Sequence, residues 1–122
     1  MKNIWITGAS SGIGKSLAIK FASEGWQVAA SARREDLLNQ LSDSNQNIAS
    51  FPLDVTNREN CREVFEKIKK KYENINICFF STGTWDPKKE KDIDIDQMKK
   101  VMDVNFFGTL NCIKAVETYF KE

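Results

Sequence analysis

Residues 6–16 read ITGASSGIGKS, and two different phosphate sites can be built from them. Gly8, Gly12 and Gly14, with Ser10, Ser11 and Ile13 among them, suit a turn that lays its backbone against a dinucleotide pyrophosphate. Ala9 to Ser16, ASSGIGKS, differs by one methyl group from G-x-x-x-x-G-K-[ST], the loop that cradles ATP phosphates. Either loop leaves a strand and opens a helix, whose first amides are unpaired and carry partial positive charge. The remainder of the chain has to discriminate.

Working outward, the hydrophobic pattern alternates between two periods. NIWIT (3–7) is short, β-branched and aromatic, so it reads as a strand. Ile13, Leu17, Ala18, Phe21 and Ala22 share one helical face, and Gly25 can stop that helix. WQVAASA (26–32) reads as a second strand and 34–42 as a helix through Leu37, Leu38 and Leu41. IASFPLDV (48–55) reads as a third strand, with Pro52 near its end. Asn57 can cap a helix over 58–72 that carries Val64, Phe65 and Ile68 inward. INICFFS (75–81) is a continuous apolar run, as expected of a strand buried on both faces. A loop with Gly83, Trp85 and Pro87 follows, and then one long helix over 95–120 with an apolar stripe from Met98 to Phe120. Strands alternating with helices imply a parallel sheet with right-handed crossovers and helices on both faces, a three-layer α/β fold.

Both phosphate loops occur in such folds, so the discrimination rests on other positions. The ATP loop needs Lys15 on the phosphates, Ser16 on a metal and a carboxylate closing a later apolar strand. The best such strand ends in Ser81, and the acid after FPL follows Pro52, which is poorly tolerated in a central strand. The dinucleotide loop instead calls for a ribose-recognising group where the second strand ends. Here Ala32 takes the place of an acid, and Arg33 and Arg34 follow. Guanidinium groups match phosphate geometry, so this end suits a ribose 2′-phosphate. A pair of surface arginines opening a helix is the plainer alternative.

TGASSGIG (7–14), LDVT (53–56) and VNFFG (104–108) together resemble the nucleotide loop, the adenine-bordering segment and the N-x-x-G element of the short-chain dehydrogenase/reductase family. The resemblance spans the whole chain. It implies a Rossmann-type fold with strand order 3-2-1-4, truncated relative to the family, and a single NAD(P)-binding domain over 1–122. It implies NADP(H) in preference to NAD(H), and carbonyl or alcohol substrates. Asp54 and Val55 would border the adenine, and Asn105 would take the place of the catalytic asparagine. Asn105 could equally be a buried amide that satisfies backbone groups where the long helix distorts. The family's N-N-A-G corresponds to Phe80-Ser81-Thr82-Gly83, so only its glycine is kept, with Ser81 and Gly83 flanking the cofactor. The family's Ser and Tyr-x-x-x-Lys would lie beyond Glu122, and no Tyr-x-x-x-Lys occurs in residues 1–122. A non-catalytic dinucleotide-binding or interaction module is therefore the alternative to an oxidoreductase, with a P-loop kinase more remote.

Composition narrows the partners. The 122 residues fit one domain, able to bury roughly 65–70% of its unfolded surface. A net charge of +1, from 18 basic and 17 acidic residues, argues against nucleic acid or an anionic membrane surface. No apolar run is long enough to span a bilayer. Three widely spaced cysteines and no histidine suit a reducing cytoplasm and leave no metal site. The family's fifth strand would lie beside 75–81. Without it that strand is an apolar edge, and a homo-oligomer through 75–81 or 95–120 is expected.

Overall fold

The computed structural model describes residues 1–84 and 93–121; Trp85 and Pro87 of the expected loop lie outside the described residues. Four strands, β1 (Asn3–Thr7), β2 (Gln27–Ser31), β3 (Ile48–Ser50) and β4 (Ile77–Phe80), form one sheet in the order β3-β2-β1-β4. Every pairing is parallel, with Trp5 opposite Ala29 on one side and Cys78 on the other.

Period-two alternation divides the sheet's side chains between two cores. Ile4, Ile6, Val28 and Ala30 meet Ala18 and Ala22 of α1 (Gly12–Ser23) and Leu38 and Leu41 of α2 (Glu35–Ser44). Trp5 and Ala29 face the opposite way. They meet Cys61, Val64, Phe65 and Ile68 of α3 (Arg58–Lys71) and, from the last helix, Cys112 and Val116. Trp5 stacks on Phe65 at 5.5 Å between ring centres, and its indole Nε1–H donates to Ser31 Oγ at 2.9 Å. The buried nitrogen is thereby satisfied at the centre of the sheet. Asn57 caps α3 as expected, its side chain accepting from Asn60 N–H.

Four expectations need correction. The third strand stops at Ser50, as its partner β2 ends at Ser31; Phe51 and Leu53 still donate to the carbonyls of Ala30 and Ala32, and Pro52 between them faces the open edge of the sheet, where its missing N–H breaks no bond to β2. Strand β4 is not buried on both faces: Ile77 and Phe79 are 39% and 36% exposed at the sheet edge. Ile13 does not join the inner face of α1; it is 71% exposed, and Gly14 occupies the buried position instead. The helix over 95–120 is interrupted. It runs as α4 (Ile95–Met102), a π-helical turn (Asp103–Phe107) and α5 (Gly108–Lys121). Its expected stripe is largely uncovered, with Met98, Met102, Phe106, Leu110, Ile113 and Phe120 exposed, and α5 packs inward through Cys112 and Val116. No helix among the described residues is long and apolar enough to cross a membrane.

Candidate functional site

The C-terminal ends of the strands open into a cavity of about 660 Å³. In open parallel sheets the crevice at these ends is where ligands sit. Gly8, Ser10, Ser11, Gly12, Ile13 and Gly14 line it, as do Arg33, Arg34, Asp54, Val55, Ser81 and Gly83. The fold thus brings all the residues expected to hold a cofactor around one cleft. Lys15 and Ser16, which an ATP loop would need, line a separate shallow groove on α1 and not this cleft.

The loop between β1 and α1 is shaped by close backbone approach. Gly8 has φ +69°, and a Cβ there would stand 2.8 Å from the Ser81 backbone. A Cβ on Gly14 would stand 2.2 Å from the Gly8 carbonyl oxygen, so any side chain would drive the helix away from the loop. Ser11 is the N-cap of α1 with extended backbone, yet its hydroxyl makes no capping bond, and the first turn carries no acid. The helix start therefore presents amides and a free hydroxyl with no carboxylate competing for an anion. This cradle fits a pyrophosphate.

The two arginines differ. Arg34 makes a bidentate pair with Asp36, Nε to Oδ1 at 3.2 Å and Nη2 to Oδ2 at 3.0 Å. The shared hydrogen bonds hold Asp36 below the usual carboxylate range and raise Arg34 further. Arg33, also exposed, has no ion pair among the described residues. Of the two, Arg33 is the guanidinium available to an incoming phosphate.

The segment after β3 is tied on several sides. Asp54 N–H donates to Asn60 Oδ1 at 2.9 Å, while Asp54 Oδ1 accepts from both the amide and the hydroxyl of Thr56. Val55 is buried, and its carbonyl accepts from Asn111 Nδ2 at 2.8 Å. Gly108 passes so close that a Cβ there would lie 2.6 Å from Val55 Cγ2.

Ser81 lines the cleft, but its hydroxyl donates to the Thr7 carbonyl at 2.6 Å and so ties β4 to β1. Asn105 sits in the π-helical turn and does not line the cleft. Its Oδ1 accepts from Thr84 N–H at 2.6 Å, and its Nδ2 donates to Thr84 O at 3.0 Å. The amide is exposed rather than buried, and the backbone groups it satisfies belong to Thr84 and not to the distorted helix, so the reading of Asn105 as a buried amide needs correction. Its side chain clamps the segment that follows β4. Sequence reasoning missed Thr56, Thr84, Gln97, Lys100 and Val104 in the cleft wall. Positions 97, 100 and 104 are spaced to share a helical face, a signal present in the sequence but masked by the stronger apolar stripe beside it.

No group of three or more histidine, cysteine or acidic residues among the described residues could hold a metal ion. The cysteines are free thiols, and burial pushes Cys78 up to about 12.

A parallel α/β sheet with a glycine cradle at the first helix is a nucleotide-binding architecture. Within that class the assignment is specific: the short chain dehydrogenase family model matches residues 2–122, and the chain belongs to that family. It is 36% identical over 119 residues to an NADPH-dependent 1-acyldihydroxyacetone phosphate reductase of Schizosaccharomyces pombe, covering 95% of this chain and 39% of the relative. It is 33% identical to a dehydrogenase/reductase SDR family protein 7-like of Dictyostelium discoideum, covering 99% and 42%. Among solved structures, ElxO with NADP bound superposes with a TM-score of 0.86 at 28% identity, covering 98% of this chain and 50% of that one. The hydroxysteroid dehydrogenase of Escherichia coli gives 0.84 at 26%, covering 94% and 50%. The chain therefore spans half or less of the length of these relatives.

Proposed function

We propose that this chain forms the NADP(H)-binding portion of an oxidoreductase that interconverts carbonyls and alcohols. The observation that carries the cofactor choice is Arg33. It follows β2 on the cleft wall without an ion pair among the described residues, and Ala32 stands where an acid would recognise a free ribose hydroxyl. Ser11, with its uncapped hydroxyl, lines the same cleft. The NADPH dependence of the S. pombe relative and the NADP in ElxO agree with this reading.

In this assignment the Gly8–Gly14 loop holds the pyrophosphate, and Asp54 and Val55 border the adenine. Thr84, clamped by Asn105, stands on the nicotinamide side. The bound nicotinamide supplies or accepts the hydride. Residues 1–122 contain no Tyr-x-x-x-Lys, so we assign them cofactor binding rather than proton transfer. We further infer that two copies associate through the exposed apolar residues of β4 and the helix from Ile95, since so extended an uncovered surface is unusual on a monomer. Three free thiols suit a reducing, cytoplasmic location.

Calorimetry with NADPH and NADH tests the assignment. One charge-assisted contact should favour NADPH by about 10- to 150-fold, and Arg33→Ala should remove most of that preference. Equal affinity for the two cofactors in the parent chain would overturn it.

A further inference from the structure

We propose that Asn111 is a positioning residue for base recognition, an inference that rests on the dinucleotide reading above. The backbone amides around Val55 are almost all occupied. Leu53 N–H donates to Ala32 O, Asp54 N–H to Asn60 Oδ1, Thr56 N–H to Asp54 Oδ1 and Asn57 N–H to Asp54 O. Val55 N–H alone has no partner among the described residues, and Val55 lines the cleft. The second carboxylate oxygen of Asp54 likewise has none. The segment thus offers the cleft one donor and one acceptor on adjacent residues.

Both peptides that flank Val55 are fixed. The Asp54 carbonyl accepts from Asn57 N–H at 3.0 Å, and a trans peptide points its N–H away from its carbonyl. The next carbonyl, that of Val55, accepts from Asn111 Nδ2 at 2.8 Å and from Cys61 Sγ at 3.7 Å. Gly108 closes on the Val55 side chain from the same helix as Asn111. Asn111 is 56 residues away in sequence and supplies the stronger of the two bonds to that carbonyl. Without it, that carbonyl keeps only the long bond from Cys61 Sγ, so the Val55–Thr56 peptide loses its strongest anchor and the alignment of the donor–acceptor pair loosens.

A fixed donor beside a fixed carboxylate complements the 6-amino group and N1 of adenine. It opposes hypoxanthine, which carries an oxygen and an N–H in those places. Asn111 therefore sets the preference for adenine over hypoxanthine, although it touches no ligand itself.

The test is calorimetric titration of the parent, Asn111→Ala and Asn111→Asp with ADP and with IDP. The parent should favour ADP by about tenfold or more, and each variant should lower that ratio by about three- to tenfold. The aspartate is isosteric but cannot donate. Both ligands are measured on one sample, so a partly unfolded variant changes neither numerator nor denominator selectively, and a merely structural role leaves the ratio unchanged. A variant ratio equal to the parent's overturns the inference. So does a parent that binds ADP and IDP equally, although the dinucleotide reading then survives. A parent that binds neither nucleotide overturns both.

Discussion

The side of the cleft built on Gly8–Gly14, Arg33 and Val55 rests on closed packing, whereas the side formed by β4 and the helix from Ile95 presents its apolar residues to solvent. Around Gly8–Gly14, Arg33 and Val55, the supporting strands β1 and β2 are central in the sheet, and Trp5, Val28 and Ala29 are fully buried. Across the cleft, Ile77 and Phe79 lie on an edge strand, and Phe106, Leu110 and Ile113 are 43–50% exposed. Binding geometry is here preorganised by close backbone packing: Gly8 and Gly14 fit against each other and against Ser81 at the end of β4, although the apolar residues of β4 itself stay uncovered. The segment after β4 is held more lightly, chiefly by Asn105 on Thr84.

The largest expected effect comes from breaking the closed side. Phe65 stacks on Trp5 and packs edge-on against Tyr119, so it links α3, β1 and α5. Phe65→Ala should cost about 3–5 kcal/mol, read as a shift of the urea midpoint. Gly14→Ala should come next, at about 1–3 kcal/mol, since its methyl meets the Gly8 carbonyl. Its sharper consequence is on binding: the displaced cradle should lose NADPH affinity by more than the stability change implies, checked by calorimetry on the folded variant. The smallest effect is expected on the open side. Leu110→Ser should change stability by no more than about 0.5 kcal/mol, yet weaken association of two copies in light scattering. A large stability loss from Leu110→Ser, or none from Phe65→Ala, would erase the contrast between the two sides.

Much of this contrast was written in local patterns. The short β-branched and aromatic run Ile4-Trp5-Ile6 and the Asn57 cap mark elements whose signals depend only on neighbours in sequence, and the glycine spacing at 8, 12 and 14 marks the cradle in the same way. Other features depended on distant partners. Apolar spacing in 95–120 identifies residues that share a face, but not whether another element covers that face. In α1 the apolar pattern favoured Ile13 because glycine carries no hydrophobic signal, while close packing on Gly8 put Gly14 inside. The interruption at Asp103–Phe107 has no proline to announce it. Arg33 and Arg34 were equivalent in sequence until Asp36 engaged one of them. Asn111 was invisible because its partner is Val55, which only the fold brings near.

In the proposed function the Gly8–Gly14 loop, Arg33 and the Asp54–Val55 segment together receive the adenosine end of the cofactor. Amide chemical shifts of the isotope-labelled chain, followed during titration with NADPH, test it residue by residue. Saturable shifts are expected at Gly8, Ser11–Gly14, Arg33 and Val55, with little change at Lys67–Lys71 on the far end of α3. Shifts confined to the groove at Lys15, Ser16 and Ile19, or no shifts at millimolar NADPH, would contradict it.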